Sequence, residues 1–431
     1  MQVLIWKQLS VRRRAAVLAR PASAAQPDRA AVVARIFAAV RREGDAALRR
    51  FTRQFDGARL RSLQVTAAEF AAAERVLGRA DHAALRTAWR NLRRFHRAQR
   101  PRPLRVTTTP GVVCEKVVRP IDRIGLYVPG GSAPLFSTAL MLGVPSQLAG
   151  NPVRVLCTPP DRAGRINPWI LCAAQLCGLT EVYKVGGAQA IAALACGTTS
   201  VPRCDKIFGP GNAFVTEAKL QASRAGTAID LPAGPSEVMV VADDRARPDL
   251  VAADLLSQAE HGPDSQVLLV AYSVRFASRV QAELARQLAV LPRRAIAQRA
   301  LAGSRLLVAS GAEAAVAIAN AYAPEHLILQ VADPRALLAG VTAAGSVFLG
   351  AWTPESLGDY ASGTNHVLPT AGWARAISGL GLADFHRTMT VQEASPRGLQ
   401  RLGPVVERLA LAENLAAHQR AVRVRLHLLS R

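Results

Sequence analysis

A chain of 431 residues exceeds the usual size of one hydrophobic core and predicts at least two domains. Half of its residues are hydrophobic and 20% are charged, which excludes general disorder. The formal net charge of +23 raises nucleic-acid binding, although only five lysines contribute and the remaining 49 basic residues are arginines.

The opening MQVLIWKQLSVRRR places a short apolar run before its charges, unlike a signal peptide, and no run approaches the roughly 18 to 20 apolar residues of a membrane span. The expected setting is cytoplasmic, with no membrane partner. Residues 1 to about 105 read as mostly helical, with Val32, Val33, Ile36, Phe37 and Val40 at helical spacing. Within them the run from Arg86 to Arg105 holds the densest arginines, and Trp89, Leu92 and Phe95 predict an apolar stripe beneath a cationic face. Elsewhere arginine is scattered. With no zinc-finger spacing, aromatic RNA-binding motif or basic zipper, the charge reads as a solvated surface, and no specific nucleic-acid partner is expected.

From Val112 the texture changes to β-branched runs punctuated by Gly and Pro: VVCEKVV, RIGLYV, PVRVLCT, EVYKV, KIFG, TAID, EVMVVA, QVLLVAY, RLLVAS, HLILQV and SVFLG. Helix-length segments separate many of them, which predicts two mainly parallel α/β sheets. The expected division is an arm over 1–19, a first α/β domain over 20–127 and 237–376, an inserted α/β domain over 128–236, and a helical tail over 377–431. Pro404 is expected to open a long tail helix, whose Val405, Leu409, Leu411, Leu415, Val422, Val424 and Leu428 would pack on the body or on a second subunit. The six cysteines, Cys114, Cys157, Cys172, Cys177, Cys196 and Cys204, contain no C-x-x-C pair and read as reduced core residues.

Several polar constellations interrupt this pattern. Gln258 and His261 lie three residues apart at the marked carboxyl end of a helix that opens near Pro248 and stops at Gly262-Pro263. That geometry suits a metal, although spacing alone favours a polar helix end with a capping histidine. Glu325 and His326 stand between a proline-broken helix and an apolar strand, at the kind of strand mouth where α/β proteins bind ligands. They offer two bases of different pKa, but share one site only if the junction is a turn. Asp359 and His366 share a polar glycine-containing loop, and Glu413 and His418 sit five apart on the tail helix, a poor match to one face. Three glycine segments, GLYVPGGSAPL, VGGAQAI and FGPGNAF, each follow a strand and open a helix, where backbone N–H groups can meet phosphate. None fits the G-x-G-x-x-G or P-loop pattern.

Together GLYVPGGSAPLFSTALML, EVYKVGGAQAIAALACG, DKIFGPGNAFVTEAK, DLPAGPSEVMVVAD, DLLSQAEHGPDSQV, AYAPEHLIL, GDYASGTNHVLPT and LAENLAAHQRAV resemble the histidinol dehydrogenase family, in order and over about residues 100 to 425. The resemblance implies two mainly parallel α/β sheet domains, incompletely Rossmann-like and aldehyde-dehydrogenase-like, with small helical terminal segments. It implies an NAD-dependent, four-electron oxidation of L-histidinol through L-histidinal to L-histidine, the last step of histidine biosynthesis. It further implies a homodimer with a shared active site and one Zn2+ per subunit, held by Gln258, His261, Asp359 and His418, the last from the partner subunit. By the same resemblance His326 accepts protons during the oxidations and Glu325 activates the water that adds to the aldehyde. Ser236, Gln258, His261, His326, Asp359, Glu413 and His418 would contact substrate, Tyr127, Gln189 and Asn212 would contact NAD+, and His366 is placed in the pocket.

A thiohemiacetal on Cys114 or Cys157 is the competing chemistry, but neither lies in a matched catalytic segment. A related enzyme that oxidises another small alcohol, such as a sulfonated diol, is the nearest alternative, with Glu413 favouring histidinol.

Overall fold

The structure, a computed structural model, describes residues 1–20, 28–130, 135–231 and 234–430. Residues 131–134 of the first glycine segment and 232–233 of DLPAGPSEV lie outside the described residues.

The chain opens with β1 (Val3–Ile5), α1 (Val11–Leu18), α2 (Arg29–Glu43), α3 (Asp45–Phe55), α4 (Ala67–Val76) and α5 (Arg79–Ala98). Next come β2 (Leu104–Thr109), β3 (Val112–Pro120), β4 (Arg123–Tyr127), α6 (Phe136–Ala149), β5 (Val153–Thr158), α7 (Pro168–Leu176), β6 (Glu181–Lys184) and α8 (Gly187–Cys196). After them follow β7 (Lys206–Phe208), α9 (Ala213–Arg224), β8 (Ala228–Ile229), β9 (Glu237–Ala242), α10 (Pro248–Ala259), β10 (Gln266–Ala271), α11 (Val274–Leu288) and α12 (Arg294–Ala302). The remainder is β11 (Arg305–Val308), α13 (Ala312–Tyr322), β12 (His326–Gln330), α14 (Pro334–Leu338), β13 (Ser346–Leu349), α15 (Glu355–Tyr360), β14 (His386–Ala394), α16 (Pro396–Ala412) and α17 (Ala416–Leu429).

Two parallel sheets organise the body, as the alternation of strands and helices predicts. One is six-stranded, in the order β1-β11-β10-β9-β12-β13, and the other five-stranded, β6-β5-β4-β7-β8. Strands β9, β10 and β12 are buried at every residue, because helices cover both faces of the sheet, which is why they read as unbroken apolar runs rather than alternating ones. A third sheet, β14-β3-β2, is antiparallel. VVCEKVV therefore forms the middle of a separate ribbon instead of joining a parallel sheet.

Strand pairing draws the division differently from the expected boundaries. β4 ends at Tyr127, yet it pairs with β5 and β7 at the centre of the five-stranded sheet. Helices α2 to α5 bury Val33, Ile36, Val40, Leu85 and Leu92 in the two cores that flank this same sheet. The arm, by contrast, adds β1 as an edge strand beside β11. On α5 the buried face is Leu85, Ala88, Leu92 and His96, while Phe95 of the expected stripe is 46% exposed.

The tail departs from expectation as well. Pro404 lies inside α16, not at its start, and the helix begins where Ser395 caps it and Pro396 fills the first turn. Glu413 ends α16 and Asn414 takes a positive φ of 59°, so Glu413 and His418 occupy two helices rather than one. In the single chain Leu409 and Leu428 are 62% and 69% exposed, an apolar face with no cover among the described residues.

One buried ion pair ties the loops of the five-stranded sheet together. Lys219, on α9, pairs with Asp230 and donates to the carbonyls of Gly209 (2.9 Å) and Leu231 (3.2 Å). Removing one member of such a pair strands the other charge. Lys219→Met is expected to lower the unfolding free energy by about 3–5 kcal/mol in chemical denaturation. A loss below about 1 kcal/mol would show that water reaches Asp230 and that the pair is not a structural tie.

Candidate active site

Tyr127, Gln189 and Asn212 gather at the carboxyl ends of the five-stranded sheet. Tyr127 closes β4, and its buried hydroxyl accepts from the Gly187 N–H (3.0 Å) that opens α8, which also carries the buried Gln189. Asn212 caps α9, its Oδ1 accepting from the N–H groups of Phe214 (3.0 Å) and Val215 (3.1 Å). Gly209 holds φ 126°, and a Cβ there would stand 2.1 Å from the Tyr127 carbonyl oxygen, so only glycine lets the strand end and the loop before α9 approach each other. Phosphate groups favour helix N-termini presented at such strand ends.

The second half of the site occupies the opposite edge of the larger sheet. Glu237, His326 and Ser346 are the first residues of β9, β12 and β13, so this half lies at the amino ends of the strands, against the usual preference for the carboxyl ends. Helix α10 runs back across the sheet and delivers Gln258 and His261 to that edge. Two contacts bring the halves together. Thr138 of α6 meets His366 (Oγ1 to Nε2, 3.1 Å), and Asn365 donates to the Met141 carbonyl (2.7 Å).

The side chains of Glu325 and His326 do come together. Ala323 takes a left-handed φ of 51°, which turns the chain as α13 gives way to β12 and leaves Glu325 Oε2 3.7 Å from His326 Nδ1. The main chain of Glu237 serves both: its N–H donates to Glu325 Oε2 (2.9 Å), and its carbonyl faces His326 Nδ1 (3.2 Å). A carbonyl only accepts, so this contact requires a hydrogen on Nδ1 and leaves Nε2 to exchange a proton; the Gln258 amide nitrogen, 3.1 Å from Nδ1 when its oxygen faces His261, would instead require Nδ1 to accept, so only one of the two hydrogen bonds forms at a time. Nε2 is buried, has no hydrogen-bond partner and points towards Asp359 Oδ1 at 3.6 Å.

Gln258 connects these residues to His261. Its amide is satisfied with the nitrogen donating to Glu355 (2.9 Å to Oε1, 3.3 Å to Oε2) and the oxygen accepting from His261 Nδ1 (2.7 Å). Glu355 is fully buried and was missed from the sequence. Its signal was available, since Glu355 and Asp359 are four apart on α15 and share a face. His326, Glu355 and Asp359 bring one ligand atom each to within 4.8 Å of one another, an arrangement able to hold a metal ion. Of the expected ligands, Asp359 belongs to this group, whereas Gln258 and His261 reach it through the Gln258 contact with Glu355. His418 and Glu413 are exposed on the tail, and among the described residues no hydrogen bond or ion pair joins them to it.

Burial sets the electrostatics. It pushes the Glu325 carboxyl up to about 8 and raises Glu355 well above the usual carboxylate range. Burial alone would depress His326, but Glu355, Glu325 and Asp359 outweigh it and raise the imidazole to about 10. Burial opposes ionisation of Asp359 too, yet the His326 imidazole beside it holds it below its ordinary value. His261 is lowered, chiefly by burial, which favours the neutral imidazole that metals bind. His366 is likewise lowered by burial and holds the Asp359 carbonyl through Nδ1 (3.0 Å). Ser236 precedes β9, its carbonyl accepting from the Gln266 N–H (3.2 Å). Burial also drives the Cys157 thiol well up, away from the thiolate a covalent route needs, while Cys114 sits on the antiparallel ribbon.

Comparison with known proteins bears on this geometry. A family model described as histidinol dehydrogenase matches residues 19–426. A histidinol dehydrogenase of Vibrio parahaemolyticus is 54% identical over 432 residues, covering 100% of this chain and 99% of its own. That of Xylella fastidiosa is 56% identical over 427 residues, covering 99% of each chain. The crystal structure of histidinol dehydrogenase from Elizabethkingia anophelis superposes with a TM-score of 0.97 at 46% identity, covering 100% of this chain and 99% of its own. Among the described residues no helix is long and apolar enough to cross a membrane.

Proposed function

The chain belongs to the histidinol dehydrogenase family, and on that premise we propose how its own residues carry out the oxidation of histidinol, the last step of histidine biosynthesis. The observation that carries the reading is the convergence of Gln258, His261, His326, Glu355 and Asp359 at one buried strand edge, linked through α6 to the cradle formed by Tyr127, Gln189 and Asn212.

The donors fit a zinc ion: a neutral imidazole at His261, an amide oxygen at Gln258 turned the same way, and a carboxylate at Asp359 held ionised. Gln258, His261 and Asp359 would hold a divalent ion there, and it would supply an anchor for the amino alcohol and a positive charge beside the carboxylates. His326 Nε2 is placed to accept the hydroxyl proton, and NAD+ held by Tyr127, Gln189 and Asn212 would take the hydride of the carbinol carbon. Glu325, fixed by the Glu237 N–H, takes the proton of the water that adds to the aldehyde, and its raised pKa suits a base working near neutrality. Ser236 and Glu413 complete the substrate contacts, and His366 steadies Asp359 on α15 through its carbonyl. The assay that tests the activity follows NADH with L-histidinol and zinc, and two equivalents per histidine are expected; no turnover ends the reading.

The exposed apolar face of α16 and α17 supports a homodimer in which His418 of the partner subunit completes each zinc site. Mixing inactive His261→Ala and His418→Ala dimers and allowing exchange is expected to restore about a quarter of wild-type activity, because each hybrid carries one intact site. If His418 serves its own subunit, every hybrid site is defective and no activity returns.

A further inference from the structure

We propose that Arg20, where the amino-terminal arm ends, is a positioning residue for the proton-transfer pair and acts through Glu237. Its guanidinium forms a two-pronged pair with the Glu237 carboxylate (Nε to Oε2 2.8 Å, Nη2 to Oε1 2.9 Å) and also donates to the Tyr322 carbonyl (2.8 Å). Its Cζ lies over the Tyr322 ring, 3.9 Å from the centroid, while the Tyr322 hydroxyl donates to the same carboxylate (2.7 Å). Glu237 is 2% exposed. The residue so gripped by its side chain offers its N–H to Glu325 and its carbonyl to His326.

The chain of cause is short. A buried carboxylate without its cation must take up a proton or turn towards water, and either change moves the first residue of β9. Glu325 and His326 then lose their shared reference point together. Misplacement by about 1 Å is enough to cost about 100-fold in rate. The arm is suited to hold the clamp: β1 extends the six-stranded sheet at its edge, and α1 leads directly towards Arg20. The inference rests on the acid–base reading of Glu325 and His326.

The test uses the zinc-loaded, full-length enzyme. Arg20→Met is expected to lower kcat about 10- to 100-fold, with KM for NAD+ within about two-fold of wild type, since Tyr127, Gln189 and Asn212 belong to the other sheet. Arg20→Lys, which grips one carboxylate oxygen instead of two, is expected to recover part of that loss. In an Glu237→Gln background Arg20→Met should have little further effect, because the clamp is already broken. Wild-type kcat in Arg20→Met overturns the proposal, as does an equal loss in both backgrounds. Should Arg20→Met not fold, Arg20→Lys carries the test, and an unchanged kcat there overturns the proposal as well. His326→Ala, run in parallel, separates the two failures: a large loss there beside wild-type Arg20→Met sinks the clamp alone, whereas wild-type activity in His326→Ala sinks the acid–base reading with it.

Discussion

Glu325→Gln is expected to separate the two oxidations. The amide keeps an oxygen for the Glu237 N–H, so the turn before β12 and the placing of His326 survive, while the base is gone. Zinc content should stay at the wild-type level, since the expected ligands are other residues. The first hydride transfer draws its proton acceptor from His326 and should proceed, whereas the second needs water deprotonated beside the aldehyde and should slow by about 10²–10⁴-fold. The visible result is a burst of one NADH per site, followed by slow turnover, with the aldehyde trapped by a carbonyl reagent. Equal slowing of both steps, with no trapped aldehyde, would assign Glu325 to the alcohol oxidation instead.

His261→Ala is expected to remove metal and activity together. Burial keeps this imidazole neutral, and the substitution also deprives the Gln258 oxygen of its partner, so two adjacent donors are disturbed at once. Activity should fall by about 10³-fold or more, the scale of several kcal/mol of charge stabilisation and substrate anchoring. Zinc should be lost to a chelator that leaves the wild type loaded, while the far-ultraviolet circular dichroism stays unchanged. If the variant retains zinc with wild-type affinity, the ion belongs with His326, Glu355 and Asp359, which lie close enough together to hold it without His261.

These two experiments address residues that were legible as types in the amino-acid order. Gln258 and His261 stand at a helix end bounded by Pro248 and Gly262, and β9, β10 and β12 announce themselves as apolar runs, because a parallel sheet covered on both faces leaves no polar side. The elements that went unread lack such a signal. β2 and β14 are the edge strands of the antiparallel ribbon around β3 and are nearly all exposed, so LRVTTT and HRTMTVQEA carry no buried stripe. β1 is three residues long and becomes a strand only because β11 lies beside it. The partners of β4 were not legible for a related reason, since a single strand contains nothing to say which sheet it will join.

Local order thus specified the helices, the parallel strands, the residue types able to bind metal or move protons, and the family these segments resemble, since each depends on periodicity or motif over a few neighbouring positions. Folding in three dimensions settled the rest: that Glu355 and Asp359 turn a helix face towards His326, that Glu237 holds two bases by its main chain, and that Arg20 reaches it across 217 positions of sequence. The reason is physical. Such contacts join segments whose separate patterns are satisfied by many partners, and only the packing of the two sheets, with the burial it imposes, selects among them.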